Sequence, residues 1–138
     1  MIVAQNHGSP LRVGLVWCCT GLLGCLASAL HAQKPLGTIK HGYIQSGEVR
    51  IHYVTQGQGP LVVMVHGFPD YWYSWRKQIP VLAQQFQVVA IDQRGYNRSG
   101  HPQGVRQYTM EKLVGDLKAV VDHFPQNKAV IVGHDWGG

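Results

Sequence analysis

The sequence predicts an α/β fold, with a mostly parallel sheet and helices on both of its faces. Short apolar runs recur at residues 61–65, 87–91 and 129–132. Strands buried on both faces read as continuous runs of this kind, not as alternating ones. Longer segments of helical pattern separate the runs, at 75–85 and 110–124. Each run ends in a cluster of Gly with His, Asp or Arg. In open α/β sheets the functional groups sit there, beyond the C-terminal ends of the strands.

Residues 37–43 form a short polar lead-in. Residues 48–55 are rich in β-formers and can pair with 42–45 as an antiparallel hairpin turning at Ser46-Gly47. Gly57-Gln58-Gly59-Pro60 is a turn into the first apolar strand. Within the helix read over 75–85, Pro80 is a weak point. A glycine-rich loop spans 92–107, and Thr109 is a good N-cap for the helix over 110–124. The apolar stripe of that helix is Leu113, Val114, Leu117, Val120, Val121 and Phe124. Strand, helix, strand, helix, strand implies parallel βαβ units.

The chain has 138 residues, enough for one small domain or part of a larger one. With 45% hydrophobic and 14% charged residues, the composition is that of a packed domain and not of a disordered chain. The net charge of +5 is scattered. No block of like charges offers a nucleic-acid arm or a polybasic membrane patch, so nucleic-acid binding is not expected. Cys18, Cys19 and Cys25 are the only cysteines. Disulfides and cysteine zinc sites are therefore not expected after Cys25. No metal or cofactor motif is present.

Residues 13–30 carry no charge, follow Arg12, and close on Ala27-Ser28-Ala29. That is the layout of a secretory signal, with a second possible cut after Ala32. The run is also near the length of a membrane anchor, which needs ~20 residues. Leu22-Leu23-Gly24-Cys25 further resembles a lipoprotein signal. Gly14, Gly21, Gly24 and the lack of a polar face argue against a buried helix. The expected organisation is a signal or anchor over 1–32, with an exported location, and a partial core domain over 37–138.

The third strand leads into Gly133-His134-Asp135-Trp136-Gly137-Gly138. This is the form of a nucleophile elbow, G-x-nucleophile-x-G, with Asp where Ser is common. The turn is so tight that the nucleophile takes a strained backbone and only glycine fits beside it. The first strand ends in His66-Gly67-Phe68-Pro69-Asp70. In such folds the loop there supplies one oxyanion-hole amide and the residue after the nucleophile supplies the other. These would be the N–H groups of Phe68 and Trp136. His66 reads as a packing histidine below the site. The second strand ends in Asp92-Gln93-Arg94-Gly95-Tyr96-Asn97-Arg98-Ser99-Gly100, where Asp92 and Arg94 are expected to pair and shape the loop.

HGFPD, DQRGYNRSG and GHDWGG, in this order, resemble the epoxide hydrolase branch of the α/β-hydrolases. The resemblance covers about residues 43–138. It implies that Asp135 is the nucleophile and that Phe68 and Trp136 supply the oxyanion-hole amides. It also implies a cis Phe68–Pro69 bond, with His66, Gly67, Pro69, Gly133, His134 and Gly137 as structural support. The substrates it implies are a small apolar epoxide and water, with membrane contact only through the N-terminal segment. In this family tyrosines of a helical cap domain supply the acid, and the base histidine and its carboxylate partner come later still. Tyr71, Tyr73, Tyr96, Tyr108, His123 and His134 lie in the wrong segments for those roles.

A carboxylate suits displacement at saturated carbon, whereas serine attacks carbonyls. Dehalogenases use the same chemistry and are the alternative. Haloalkane dehalogenases place Asn where Phe68 stands, and phenylalanine donates no side-chain hydrogen bond. Fluoroacetate-type enzymes typically place Arg where Trp136 stands. A non-catalytic domain is the alternative of another class. The 138 residues alone are expected to be inactive and poorly stable, with unpaired strand edges.

Overall fold

The computed structural model describes residues 37–138. The signal-type segment, the alternative anchor and the cysteines lie outside the described residues.

Five strands form one sheet: β1 Lys40–Ser46, β2 Val49–Gln56, β3 Leu61–Val65, β4 Gln87–Ile91 and β5 Ala129–Gly133. Their spatial order is β1-β2-β4-β3-β5. The three apolar runs make the parallel part, with β3 between β4 and β5. β1 and β2 extend it antiparallel, so the described sheet is mixed. β1 starts at Lys40, inside the segment read as a polar lead-in. The hairpin turn falls on Gly47 and Glu48, one residue later than expected. Gly47 takes φ +56° there, a conformation open to glycine without a Cβ clash.

Alternate residues of the parallel strands feed two cores, as the pleat requires. Leu61, Val63, Val65, Val89 and Ile91 face α2 (Met110–His123), which closes over them with Val120. Val62, Met64, Val88 and Ala90 face α1 (Gln78–Leu82), which contributes Ile79. Each fully buried aliphatic side chain contributes roughly 1.5–3 kcal/mol of transfer free energy. Burial on both faces therefore holds these layers together, and helices do cover both faces.

Three readings change. The helix expected over 75–85 is a 3-10 turn at Trp72–Trp75 followed by the short α1. Pro80 has no N–H for the carbonyl one turn back, so regular helix cannot run through it from Trp75. It is accommodated in the first turn of α1, where that N–H would be unpaired anyway. In α2, Val114 is exposed and Asp116 is buried instead, because Arg94 holds its carboxylate. Thr109 is the N-cap residue, but its side chain makes no capping bond; its carbonyl accepts from Lys112 and Leu113.

β5 also differs from the fully buried strand expected. Val130 and Ile131 are 60% and 45% exposed. Among the described strands β5 pairs with β3 alone, while α1 packs on β4 and α2 on β1, away from that edge.

Candidate active site

One line of register across the sheet sets the site. Ile91 stands opposite Val65, and Val65 opposite Gly133. The three parallel strands therefore end level, and the loops that follow emerge side by side.

β5 runs into a 3-10 turn at Asp135–Gly137, and Asp135 takes φ +55°. A side chain in the left-handed region is strained, as expected of a nucleophile held proud of its sheet. A Cβ at Gly133 would overlap the Gly137 carbonyl, and one at Gly137 would overlap the Val65 carbonyl. Across the cleft, a Cβ at Gly67 would lie 2.6 Å from Cβ and Oδ1 of Asp135.

That close approach lets the Phe68 N–H donate to Asp135 Oδ1 at 2.9 Å. The Phe68 N–H first, and the Trp136 N–H after it, hold the Asp135 carboxyl below its ordinary range. Partial desolvation opposes them and nearby His134 adds to them. The two amides named from the sequence thus meet on the one carboxylate named from the sequence. The Phe68–Pro69 bond is cis. The rings of Phe68 and Trp136 are 65% and 77% exposed and give the site an apolar rim.

His66 is fully buried and makes no bond to Asp135. Its Nδ1–H donates to the Gly67 carbonyl at 2.8 Å, its Nε2 accepts the Gln93 N–H at 3.0 Å, and Tyr96 packs edge-on against it. The His134 N–H bonds the Val65 carbonyl at 3.2 Å and ties the elbow to β3.

Asp92 and Arg94 do not pair with each other. Asp92 accepts from His52 Nδ1 at 2.7 Å, the Trp72 N–H at 2.9 Å and Asn97 Nδ2 at 2.8 Å. Arg94 reaches Asp116 with Nε and Nη2, both at 2.6 Å. A turn closed by the Tyr96 N–H on the Gln93 carbonyl sends Arg94 towards α2 and leaves Asp92 facing β2. Both residues still shape the loop, through other partners.

His52, Asp116 and Gln93 escaped the sequence reading. His52 is fully buried and bonds a residue 40 positions away, a pairing with no local signal. Its Nε2 lies 3.0 Å from Nδ1 of exposed His41. Burial drives the His52 pKa below its ordinary 6.5, with the Asp92 bond opposing. Below pH 6.5 the unfolded chain then takes up a proton that the folded one resists, so stability falls with pH from there down to the folded value. Above 6.5 this contribution is flat. The urea midpoint of the chain should drop between pH 7.5 and 5.5, and His52→Gln should shrink the drop; a midpoint that rises on acidification would contradict this.

Among the described residues no group of three or more His, Cys, Asp or Glu is placed to hold a metal ion. No described helix is long and apolar enough to cross a membrane.

A family model described as the alpha/beta hydrolase fold matches residues 60–138, the segment that carries β3, β4, β5 and their loops. The chain belongs to the alpha/beta hydrolase fold family. Within this family of hydrolases it resembles the epoxide hydrolases. Epoxide hydrolase 1 of Caenorhabditis elegans is 46% identical over 98 residues, which are 70% of this chain and 24% of that protein. Epoxide hydrolase B of Mycobacterium tuberculosis is 49% identical over 102 residues, 70% of this chain and 29% of that protein. The structure of an epoxide hydrolase from an endophytic Streptomyces superposes with a TM-score of 0.70 at 48% identity, over 72% of this chain and 30% of that one. The chain thus spans 24% to 30% of the length of these relatives.

Proposed function

We propose that the protein hydrolyses small apolar epoxides to vicinal diols through an ester on Asp135. The observation that carries this reading is the Asp135 carboxylate seated in its own oxyanion hole, with Oδ1 on the Phe68 N–H at 2.9 Å. The other oxygen, Oδ2, is then the one to attack. It bonds to a ring carbon while the carbon–oxygen bond of the epoxide breaks, and the leaving oxygen takes a proton from an acid. Oδ1 becomes the ester carbonyl oxygen and already lies where negative charge develops next. Water, losing a proton to a base, attacks Cγ, and the charge on Oδ1 is held by the N–H groups of Phe68 and Trp136. Collapse of this intermediate releases the diol and restores the carboxyl group. The atoms balance with epoxide and water alone. By the family resemblance, the acid and the base come from segments that follow the elbow.

A carboxylate held ionised suits attack at saturated carbon, and Phe68 beside it offers no side-chain donor to a departing halide. The first point holds for either leaving group; the second favours epoxides over haloalkanes. The test is a chimaera with residues 37–138 in the frame of the Mycobacterium tuberculosis relative, assayed on styrene oxide. After a single turnover in oxygen-18 water, Asp135 should carry the label and the diol should not. A labelled diol with unlabelled Asp135 would sink the ester mechanism. Halide release from haloalkanes without epoxide turnover would overturn the substrate class.

A further inference from the structure

We propose that Gln93 is a positioning residue for the Phe68 amide and acts through His66. A peptide unit is planar, and in its trans form the N–H points opposite to the C=O. The Phe68 N–H shares its plane with the Gly67 carbonyl, so whatever holds that carbonyl aims the N–H. Two donors hold it: His66 Nδ1–H at 2.8 Å and the Asp70 N–H at 3.1 Å. The His66 ring can donate from Nδ1 only in one neutral tautomer, the one in which Nε2 accepts.

Gln93 enforces that tautomer. Its backbone N–H points at His66 Nε2 from 3.0 Å, where a second proton would face it. Its side-chain amide donates to the His66 carbonyl at 2.6 Å. Gln93 therefore grips His66 at the ring and at the backbone. The neighbouring residue secures the far end of the same loop, through the Trp72 N–H on Asp92 Oδ1 at 2.9 Å. The route to the nucleophile is short: Gln93 to His66, His66 to the Gly67 carbonyl, and across that peptide plane to Asp135 Oδ1. A donor aimed in advance need not reorganise when charge develops. The use of that donor as an oxyanion hole rests on the epoxide hydrolase reading. Its aim at Asp135 does not, and it can be read without turnover.

The experiment is carbon-13 NMR titration of the Asp135 carboxyl in the 138-residue chain, compared with Gln93→Met and Gln93→Ala. Both changes keep the backbone N–H on His66 Nε2 and remove the side-chain donor to the His66 carbonyl, so they test that second grip; methionine also keeps the bulk. The Phe68 N–H is the leading cause of the low Asp135 titration. In both variants its midpoint should therefore rise towards the ordinary aspartate value. The exchange of the Phe68 amide with solvent should also quicken, as its bond to Asp135 Oδ1 loosens. A purely structural role would leave the Asp135 midpoint where it is, so a folded Gln93→Met chain with an unchanged midpoint overturns the proposal. Should both variants unfold, nitrogen-15 shifts of the His66 ring in the unaltered chain decide. A proton on Nδ1 supports the proposal, and a proton on Nε2 overturns it. Loss of styrene oxide turnover in the chimaera leaves these outcomes untouched.

Discussion

Asp135→Ala in the chimaera is expected to remove diol formation, by a factor of about 10⁴ or more. The carboxylate is the attacking group, and neither the N–H of Phe68 nor that of Trp136 can replace it. Alanine deletes the nucleophile and the acceptor for both amides at once. Asp135→Asn separates the two. Asparagine accepts the left-handed backbone that Asp135 takes at φ +55° and keeps a carbonyl oxygen for the Phe68 N–H. It offers no anionic oxygen to attack carbon, so it should be as inactive as alanine while holding the elbow in shape. The measurement is the initial rate of diol formation for both variants, with circular dichroism to confirm the fold. A variant retaining a tenth of the parent rate would show that Asp135 is not the nucleophile. Because Asp135 is exposed at the end of its strand, Asp135→Asn should cost little stability, and Asp135→Ala somewhat more, since alanine tolerates φ +55° less well.

The second large effect is on stability. Asp116→Ala should destabilise the chain by about 3–5 kcal/mol, the usual cost of leaving one partner of a buried ion pair alone. Arg94 and Asp116 side chains are 5% and 4% exposed, and the guanidinium meets the carboxylate in two-pronged fashion at 2.6 Å on each prong. Arg94 also donates to the Gln107 carbonyl at 2.8 Å, so the pair pins the loop after β4 to α2 and to the turn before it. Without Asp116 a buried cation keeps only carbonyl partners. The double replacement Arg94→Met with Asp116→Leu should recover most of the loss, since it removes both charges and retains bulk. Urea unfolding of the three variants measures this. A loss below about 1 kcal/mol for Asp116→Ala would place the pair among solvated ion pairs, against its burial.

Much of the site was legible because the residues that build it are contiguous. Gly133-His134-Asp135-Trp136-Gly137 is a local turn, and its glycines mark where carbonyls of Val65 and Gly137 come too near for a Cβ. Phe68 could be named because its loop follows an apolar strand that pairs next to β5. The partners of Asp92 and Arg94 were not legible. Asp92 and His52 are 40 residues apart, and Arg94 and Asp116 are 22 apart. A polar residue on an apolar strand or helix gives no hint of which distant charge will receive it. Asp116 interrupts the apolar stripe of α2, and Val114 lies at the surface.

The fold class, strands filled by apolar runs with helices on both faces, follows from sequence alone, because burial pattern is a local property of each segment. The same holds for Asp135 as the residue at the tip of the elbow. Tertiary structure alone decided the rest. The level register of Ile91, Val65 and Gly133 brought Phe68 to Asp135. Among the described residues β5 pairs with β3 alone. The grip of Gln93 on His66 set the direction of one N–H. Each of these depends on which segments meet, and hydrogen bonds of about 3 Å form only once they do.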